Sequence, residues 1–242
     1  MFHNRFLRYA LRQEPNYAIH DGQYDIDKRT HGGNISKKLS YIILKKILHV
    51  DDDAYSNYCF IELGFGSCTT SVIASILMDR PGSVVSVELV RERYNRAVEW
   101  VYNLKRCGMN YPIIECGDFL EPREAPNVWS EIQSGCVIIF INNAQGVWLN
   151  QMNRLDSMIN NCLVGSIVVS LDRMLLNQPT FHEKRIVLSN TTRDELSWGG
   201  STGTKPLEIF IYTKMDRESL YFCNGIRARA THGYEGDEML EL

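Results

Sequence analysis

Several features that would define a class of protein are missing from this chain of 242 residues. No apolar run reaches the roughly 18 residues that a membrane-spanning helix needs, and the N-terminus lacks the apolar stretch of a signal peptide. The seven cysteines contain no CxxC pair, so we expect neither a zinc site nor a disulfide framework. These absences predict a protein of a reducing compartment, either the cytosol or the nucleus.

An excess of positive charge is also missing, because Lys and Arg total 26 against 29 Asp and Glu, a net charge of −3. A strongly basic nucleic-acid clamp is therefore excluded as a property of the whole chain, although a local basic face is not. Apolar residues make up 44% and charged residues 23%, which is typical of a globular protein and excludes disorder for the body of the chain.

The chain alternates strand-like apolar runs with helical patterns. The predicted strands are 59–63, 84–88, 112–116, 137–141 and 167–171, and the predicted helices are 36–48, 69–78, 91–107 and 149–162. Residues 185–188 and 207–213 form a predicted antiparallel pair, and we expect the acidic end, 235–242, to be frayed. Strands that alternate with helices predict an α/β fold with a mostly parallel, doubly wound sheet.

A glycine-containing loop joins the first predicted strand to the helix that follows it. Gly64 and Gly66 let the backbone turn sharply and approach a ligand, but Thr69 stands where the third glycine of a dinucleotide-binding GxGxxG pattern would fall. Glu62 makes the start of this segment acidic. The loop therefore departs from the usual dinucleotide pattern.

Acidic residues also end the next two predicted strands. Glu88 stands where a carboxylate can accept both hydrogen bonds of a ribose diol. Asp118 and Phe119 offer an acceptor for an exocyclic amine beside an aromatic face. Carboxylates suit S-adenosylmethionine better than a dinucleotide, because that cofactor is cationic at sulfur and has no phosphates. The predicted cofactor-binding residues are thus Glu62, Gly64, Gly66, Thr69, Glu88, Asp118 and Phe119.

Three further segments resemble one family of methyltransferases. The run Val137–Asn143 with its Asn-Asn end, Gly117–Leu120 (Gly-Asp-Phe-Leu), and Ser197–Pro206 with Ser-Trp and Lys-Pro are similar to the disruptor-of-telomeric-silencing family. Its members are non-SET histone H3 lysine methyltransferases, and this compact chain resembles the kinetoplastid ones. The resemblance covers roughly residues 30–213, in which His31–Asn34 would match the family's Tyr-Gly-Glu-Thr loop that closes over the cofactor.

The resemblance implies a Rossmann-like class I fold that binds S-adenosylmethionine, with a seven-stranded, mostly parallel sheet and a C-terminal antiparallel hairpin. Residues 1–50 would close over the cofactor, 51–220 would form the catalytic domain, and 221–242 a tail. The activity would be methyl transfer to a lysine amine in the globular core of histone H3 on nucleosomes, in the nucleus, with S-adenosylhomocysteine as the product.

The resemblance also assigns individual residues. Asn142 and Trp198 would line the channel for the lysine amine, and Asn34 and Asn142 would contact the cofactor. The chain departs from the family pattern at His31 and Asn34, where the family has Tyr and Thr, and at Cys68, which stands at the third glycine of the family's loop.

Basic residues cluster on two predicted helices and are candidates for contacts with DNA or histones: Lys37, Lys38, Lys45 and Lys46 on one, and Arg91, Arg93 and Arg96 on the other. The alternative for both clusters is a solvated helix face.

Four of the predicted site residues could instead have structural roles. Asp118 could cap a short helix at 119–122, and Asn142 could cap a turn. Glu88 could be a solvated residue at a strand end, and Trp198 could serve only in packing. The whole protein could be a class I methyltransferase that acts on a small molecule or RNA, or a catalytically silent module that binds histones. We expect no metal cofactor and no membrane association.

Overall fold

The computed structural model describes residues 2–12, 35–142, 151–174, 180–192, 206–216 and 238–240. Its helices are α1 (Phe2–Arg12), α2 (Lys37–Tyr41), α3 (Thr69–Met78), α4 (Arg91–Arg106), α5 (Pro126–Ser134) and α6 (Met152–Asn160). Its strands are β1 (Cys59–Leu63), β2 (Val84–Glu88), β3 (Ile113–Cys116), β4 (Val137–Ile141), β5 (Ile167–Ser170), β6 (Phe181–Thr192), β7 (Pro206–Lys214) and β8 (Glu238–Leu240). A π-helical turn, Ile42–Ile47, continues α2, and Asp53–Tyr55 form a 3₁₀ turn.

The described strands form one sheet in the order β3-β2-β1-β4-β5-β7-β6-β8. Strands β1 to β5 are parallel to one another, whereas β7 runs antiparallel to both β5 and β6. The predicted parallel sheet with a C-terminal antiparallel hairpin is confirmed.

Part of the acidic end of the chain forms a strand, contrary to the expectation that this end is frayed. Its residues Glu238–Leu240, predicted to be frayed, pair with β6 as β8 and add an eighth strand to the expected seven. The outer edge of β6 offers unpaired backbone groups that any extended segment can use, so no side-chain pattern signals this pairing.

The sheet is covered on both faces, which explains the apolar character of its central strands. Every residue of β1, β2 and β4 is buried. One core lies between the sheet and α1 to α4, and contains Leu39, Ile43 and Trp100. The second core contains Val128 of α5 and Leu155 of α6. Strands buried on both faces read as continuous apolar runs, which is why their bounds could be predicted closely.

The N-terminal helices belong to the first of these cores. Ser36 caps α2, because its Oγ accepts a hydrogen bond from the Leu39 backbone N–H at 3.0 Å. Trp100 in α4 donates from Nε1 to the Ala10 carbonyl at 3.1 Å and so holds α1. Closure of residues 1–50 over a cofactor stays a prediction.

Over the described ranges, no helix combines the length and apolarity that crossing a bilayer requires.

Candidate active site

The carboxyl ends of four parallel strands meet at one edge of the sheet. Leu63, the last residue of β1, pairs with Val87 of β2 on one side and with Ile141 of β4 on the other. Glu88, the last residue of β2, pairs with Cys116 of β3. The loops after β1, β2, β3 and β4 therefore lie side by side, and such an edge is where α/β proteins bind ligands.

Backbone hydrogen bonds tie two of these loops to the end of β2. The Gly64 and Phe65 N–H groups both donate to the Val87 carbonyl, at 2.9 and 3.2 Å, and the Gly117 N–H donates to the Glu88 carbonyl at 3.0 Å. The end of β2 is thus the common support of the glycine loop and of the segment after β3.

The glycine loop turns through a series of left-handed residues. Gly64 has φ +75°, Gly66 +54° and Cys68 +63°. A Cβ built on Gly64 would meet no atom within 4 Å, so the backbone conformation rather than crowding requires glycine there, and open space lies beside the turn. Cys68, although it carries a Cβ, also adopts a left-handed conformation, at a cost of roughly 1 kcal/mol.

Glu88 is buried beside this loop, with only 4% of its surface exposed. Its Oε2 accepts from the Gly66 N–H at 2.8 Å and its Oε1 from the Val90 N–H at 2.9 Å. An ionised carboxylate has about four acceptor positions, so each oxygen retains one for a ligand. Burial raises the pKa of the Glu88 carboxyl, whereas the Arg93 guanidinium and the backbone donors act in the opposite direction.

Glu62 lies beneath the loop and faces α3. Its Oε2 accepts from both the backbone N–H, at 3.0 Å, and the hydroxyl of Ser71, and the Ser71 hydroxyl also contacts that of Ser86. Burial raises the pKa of the Glu62 carboxyl to about 8, although the hydrogen bonds from Ser71 and Thr70 oppose this. The structure shows Glu62 anchoring the start of α3, and a direct contact with a cofactor stays a prediction.

Thr69 is also buried, and its hydroxyl lies 2.8 Å from that of Ser67. This contact holds the loop at the start of α3. Cofactor binding by Thr69 stays a prediction.

The segment after β3 is a tight turn. The Asp118 Oδ1 accepts from the Leu120 N–H at 3.0 Å, and the Asp118 N–H donates to Glu124 Oε2 at 2.8 Å. Asp118 therefore caps this turn, in keeping with the structural role considered for this residue. Phe119 belongs to the second core, and its carbonyl accepts from Trp129 Nε1 at 2.8 Å. Their contacts with an adenine stay predictions.

Gly117 at the start of this turn is required by crowding. A Cβ added there would lie 2.7 Å from the Glu124 Cβ and 2.8 Å from the Glu124 carbonyl oxygen. Backbone atoms cannot move aside cheaply, so only glycine lets residues 117 and 124 approach each other.

Asn142 directly follows β4 and is buried. Because Ile141 pairs with Leu63, Asn142 lies at the sheet edge next to the start of the glycine loop. Asn34 and Trp198, which complete the predicted site, fall outside the described residues, as does His31.

The buried position of Arg93 contradicts its predicted place in an exposed basic cluster. The sequence groups it with Arg91 and Arg96 as an exposed basic cluster, and these two are exposed, but Arg93 is only 5% exposed. It precedes Ala97 by four residues on the buried face of α4, and its guanidinium lies beside Glu88. The helical spacing from Ala97 was the available signal, but the charge of Arg93 argued against an inward position.

At least two of the four lysines predicted to contact DNA make contacts within the chain. Lys45 forms an ion pair with Asp51, and Lys37 Nζ donates to the Leu11 carbonyl at 3.0 Å. Lys38 and Lys46 are exposed.

No protein-family model and no curated protein sequence matches this chain. Cofactor-bound Rv0187 from MTB superposes with a TM-score of 0.53 and 12% identity, over 88% of this chain and 91% of that one. The O-methyltransferase from Bacillus cereus in complex with SAH has a TM-score of 0.48 and 12% identity, over 87% and 91% of the two chains. The tRNA methyltransferase TrmK from B. subtilis has a TM-score of 0.48 and 11% identity, over 72% and 68%.

The strand order and the likeness to Rv0187 therefore show a Rossmann-like α/β fold with a mostly parallel sheet, as the sequence predicts.

Proposed function

We propose that this protein binds S-adenosylmethionine at the carboxyl edge of β1 to β4 and transfers its methyl group, leaving S-adenosylhomocysteine. The residues present fit that cofactor. Open space lies beside the left-handed turn at Gly64, and each oxygen of the Glu88 carboxylate retains an acceptor position for a ribose hydroxyl. The Gly66 N–H bond to Glu88 holds the loop and the acceptor in one arrangement.

The methyl acceptor that we propose is the side-chain amine of a lysine in the globular core of histone H3 on nucleosomes. The observation that carries this proposal is the buried Asn142, which ends the apolar run of β4 beside the glycine loop. The same run, with its Asn-Asn end, carries the resemblance to the disruptor-of-telomeric-silencing family.

Asn142 suits this role because a neutral carboxamide can orient an amine without competing for its proton. The acceptor lysine must be neutral to attack, and a site that excludes water lowers the pKa of an amine. Bound S-adenosylmethionine would supply the methyl group, whose bond to the sulfonium sulfur would break as the nitrogen lone pair bonds to its carbon. The lysine would give up its ammonium proton to bulk water before it enters the site. Asn142, together with Trp198 as implied by the resemblance, would align the nitrogen with that carbon.

On this proposal the protein acts in the nucleus as a chromatin regulator. A weak contact with nucleosomal DNA would use the basic surface around Lys38 and Lys46, with Lys37 and Lys45 beside them. A chain of net charge −3 should bind naked DNA weakly, and modest salt should abolish that binding.

The decisive experiment is transfer of labelled methyl groups from S-adenosylmethionine to recombinant nucleosomes. Free histone H3, a panel of small amines and transfer RNA serve as competing acceptors, and mass spectrometry locates the modified atom. We expect label on a lysine of the folded surface of H3 in nucleosomes. Label on RNA or on a small amine alone would refute the histone proposal while leaving methyl transfer standing.

Two variants separate the roles of the site residues. Glu88→Ala removes the ribose acceptor and an anchor of the glycine loop, so we expect cofactor affinity to fall at least about a hundredfold. Asn142→Ala should leave cofactor affinity within about threefold of the wild-type value while turnover falls at least about tenfold. Asn103→Ala, at an exposed position of α4, is the control that should change neither quantity.

Calorimetry with S-adenosylmethionine and single-turnover methylation provide the two measurements. Unchanged affinity in Glu88→Ala would remove Glu88 from the ribose site. Equal losses of affinity and turnover in Asn142→Ala would contradict its place on the acceptor side. A wild-type protein that the cofactor does not stabilise in thermal unfolding would instead favour the silent histone-binding module.

A further inference from the structure

A buried arginine stands next to the carboxylate of the proposed cofactor site. Arg93 lies in the first turn of α4, and its Nη1 is 3.9 Å from Glu88 Oε1. Both residues are buried, Arg93 with 5% and Glu88 with 4% of their surfaces exposed. A buried arginine is uncommon because its charge must be removed from water, so its pairing with an equally buried carboxylate requires an explanation.

The geometry of the contact leaves the carboxylate able to bind a ligand. A separation of 3.9 Å is an ion-pair distance and is too long for a hydrogen bond, so this contact uses no acceptor position of Oε1. The backbone N–H groups of Gly66 and Val90 each occupy one position on the two oxygens. Arg93 thus compensates the charge of Glu88 without occupying a hydrogen-bond position on Oε1.

We infer that Arg93 is a positioning residue that keeps Glu88 an ionised acceptor for the ribose diol of the cofactor. The inference rests on the proposed binding of S-adenosylmethionine and adds to it a residue with no place in the predicted site. Arg93 acts through Glu88 and need not touch the cofactor.

Ionisation matters because of the number of acceptors that Glu88 must provide. Two backbone N–H donors and two ribose hydroxyl donors need four acceptor positions, which only the ionised carboxylate supplies. Protonation converts one oxygen into a donor that would face either a backbone N–H or a ribose hydroxyl. Burial favours the protonated form, and a cation within about 4–6 Å favours the ionised form.

Other groups that titrate lie around Glu88 and set the useful pH range. Glu62 approaches from β1, and its pKa is raised to about 8, mainly by burial and in smaller part by Glu88. Cys116 approaches from β3, and burial raises the pKa of its thiol above the ordinary value. Measurements between about pH 5 and 7 therefore fall below both titrations.

The test is the pH dependence of S-adenosylmethionine affinity, measured by calorimetry on the full chain. Arg93→Gln removes the charge, Arg93→Lys retains it, and Arg106→Gln is a control at an exposed position near the other end of α4. Below the pH at which Glu88 becomes protonated, we expect affinity to weaken about tenfold for each pH unit. In Arg93→Gln this weakening should begin at a pH at least about one unit higher than in the wild type. In Arg93→Lys and Arg106→Gln it should begin at the same pH as in the wild type.

A double-mutant cycle that repeats the measurement in the Glu88→Gln background isolates the coupling between Arg93 and Glu88. With a carboxamide at position 88, the additional change Arg93→Gln should produce no pH-dependent loss, because no carboxyl remains to protonate. Arg93→Met, which places an apolar chain of similar length in the buried position, serves if Arg93→Gln does not fold.

Affinity curves that run parallel for the wild type and the neutral variants would overturn the inference. So would a pH-dependent loss that persists in the Glu88→Gln background. Absence of any S-adenosylmethionine binding by the wild type would instead overturn the proposed function itself, so the two failures are distinguishable.

Discussion

Replacing Glu62 by Gln tests the most deeply buried carboxyl of the candidate site. Glu62 is 2% exposed, and burial raises its pKa from an ordinary value of 4.5 to about 8. The change Glu62→Gln keeps an oxygen that can accept from the Ser71 N–H but removes the titration. Any difference in the pH dependence of stability between the two proteins therefore reports on this carboxyl.

The direction in which pH changes the free energy of unfolding follows from the number of protons bound in each state. Between pH 4.5 and about 8 the folded wild type holds a proton on Glu62 that the unfolded chain has released. The free energy of unfolding therefore decreases as pH rises through this range and levels off above it. The slope is about 1.4 kcal/mol per pH unit, so the carboxyl should cost about 2–3 kcal/mol between pH 6 and 8.

Urea unfolding at pH 6, 7, 8 and 8.5 provides the measurement. We expect the stability difference between Glu62→Gln and the wild type to shift in favour of the variant by about 2–3 kcal/mol as pH rises from 6 to 8. That shift is a large fraction of a typical unfolding free energy of about 5–15 kcal/mol. Glu92→Gln, at an exposed position of α4, should follow the wild type at every pH.

Parallel stability curves for Glu62→Gln and the wild type would refute the reasoning, because they would show that Glu62 has the same pKa in both states. The pKa of Glu88 is also raised by burial, but that carboxyl is present in both proteins and its contribution is common to them. The buried Cys162 thiol, whose pKa is raised to about 12, affects stability only where an unfolded thiol ionises, near pH 8.5 and above.

Two substitutions test local packing and capping. Gly117→Ala places a Cβ 2.7 Å from that of Glu124, so we expect a loss of about 1–3 kcal/mol in urea unfolding, whereas Gly135→Ala, which meets no atom within 4 Å, should lose less than about 1 kcal/mol. An equal loss in the two variants would contradict the crowding argument. Ser36→Ala removes the acceptor for the Leu39 N–H and should cost about 1 kcal/mol, and unchanged stability would show that this cap contributes nothing.

Local pattern was sufficient for much of the fold. The bounds of β1, α3, β2 and β4 agree with the prediction. Each of these segments is rich in apolar residues and is buried along its length, so its local pattern marks where it begins and ends. The antiparallel hairpin is predicted but shorter than observed, since β6 extends over Phe181–Thr192 where the prediction has 185–188. The extension depends on backbone pairing with β7, which side-chain alternation does not record.

Helix α5 was not predicted from the sequence. Its start is held by Glu115 of β3, whose Oε1 accepts from the Asn127 N–H at 2.9 Å and whose Oε2 accepts from the Val128 N–H at 3.2 Å. The residue that caps this helix stands well before it in the chain. A local search for a cap next to the helix could not find it.

Some features of the candidate site could likewise be predicted from the sequence, and others could not. Strand periodicity and chain order are enough to place Gly64, Gly66 and Glu88 at the ends of successive parallel strands, at one edge of the sheet. The contact of Glu62 with Ser71 and the burial of Arg93 against Glu88 depend on how separate elements pack together. Periodicity depends on neighbours in the chain, whereas the burial of a charge depends on whether a partner from another element compensates its loss of hydration, and folding alone supplies that partner.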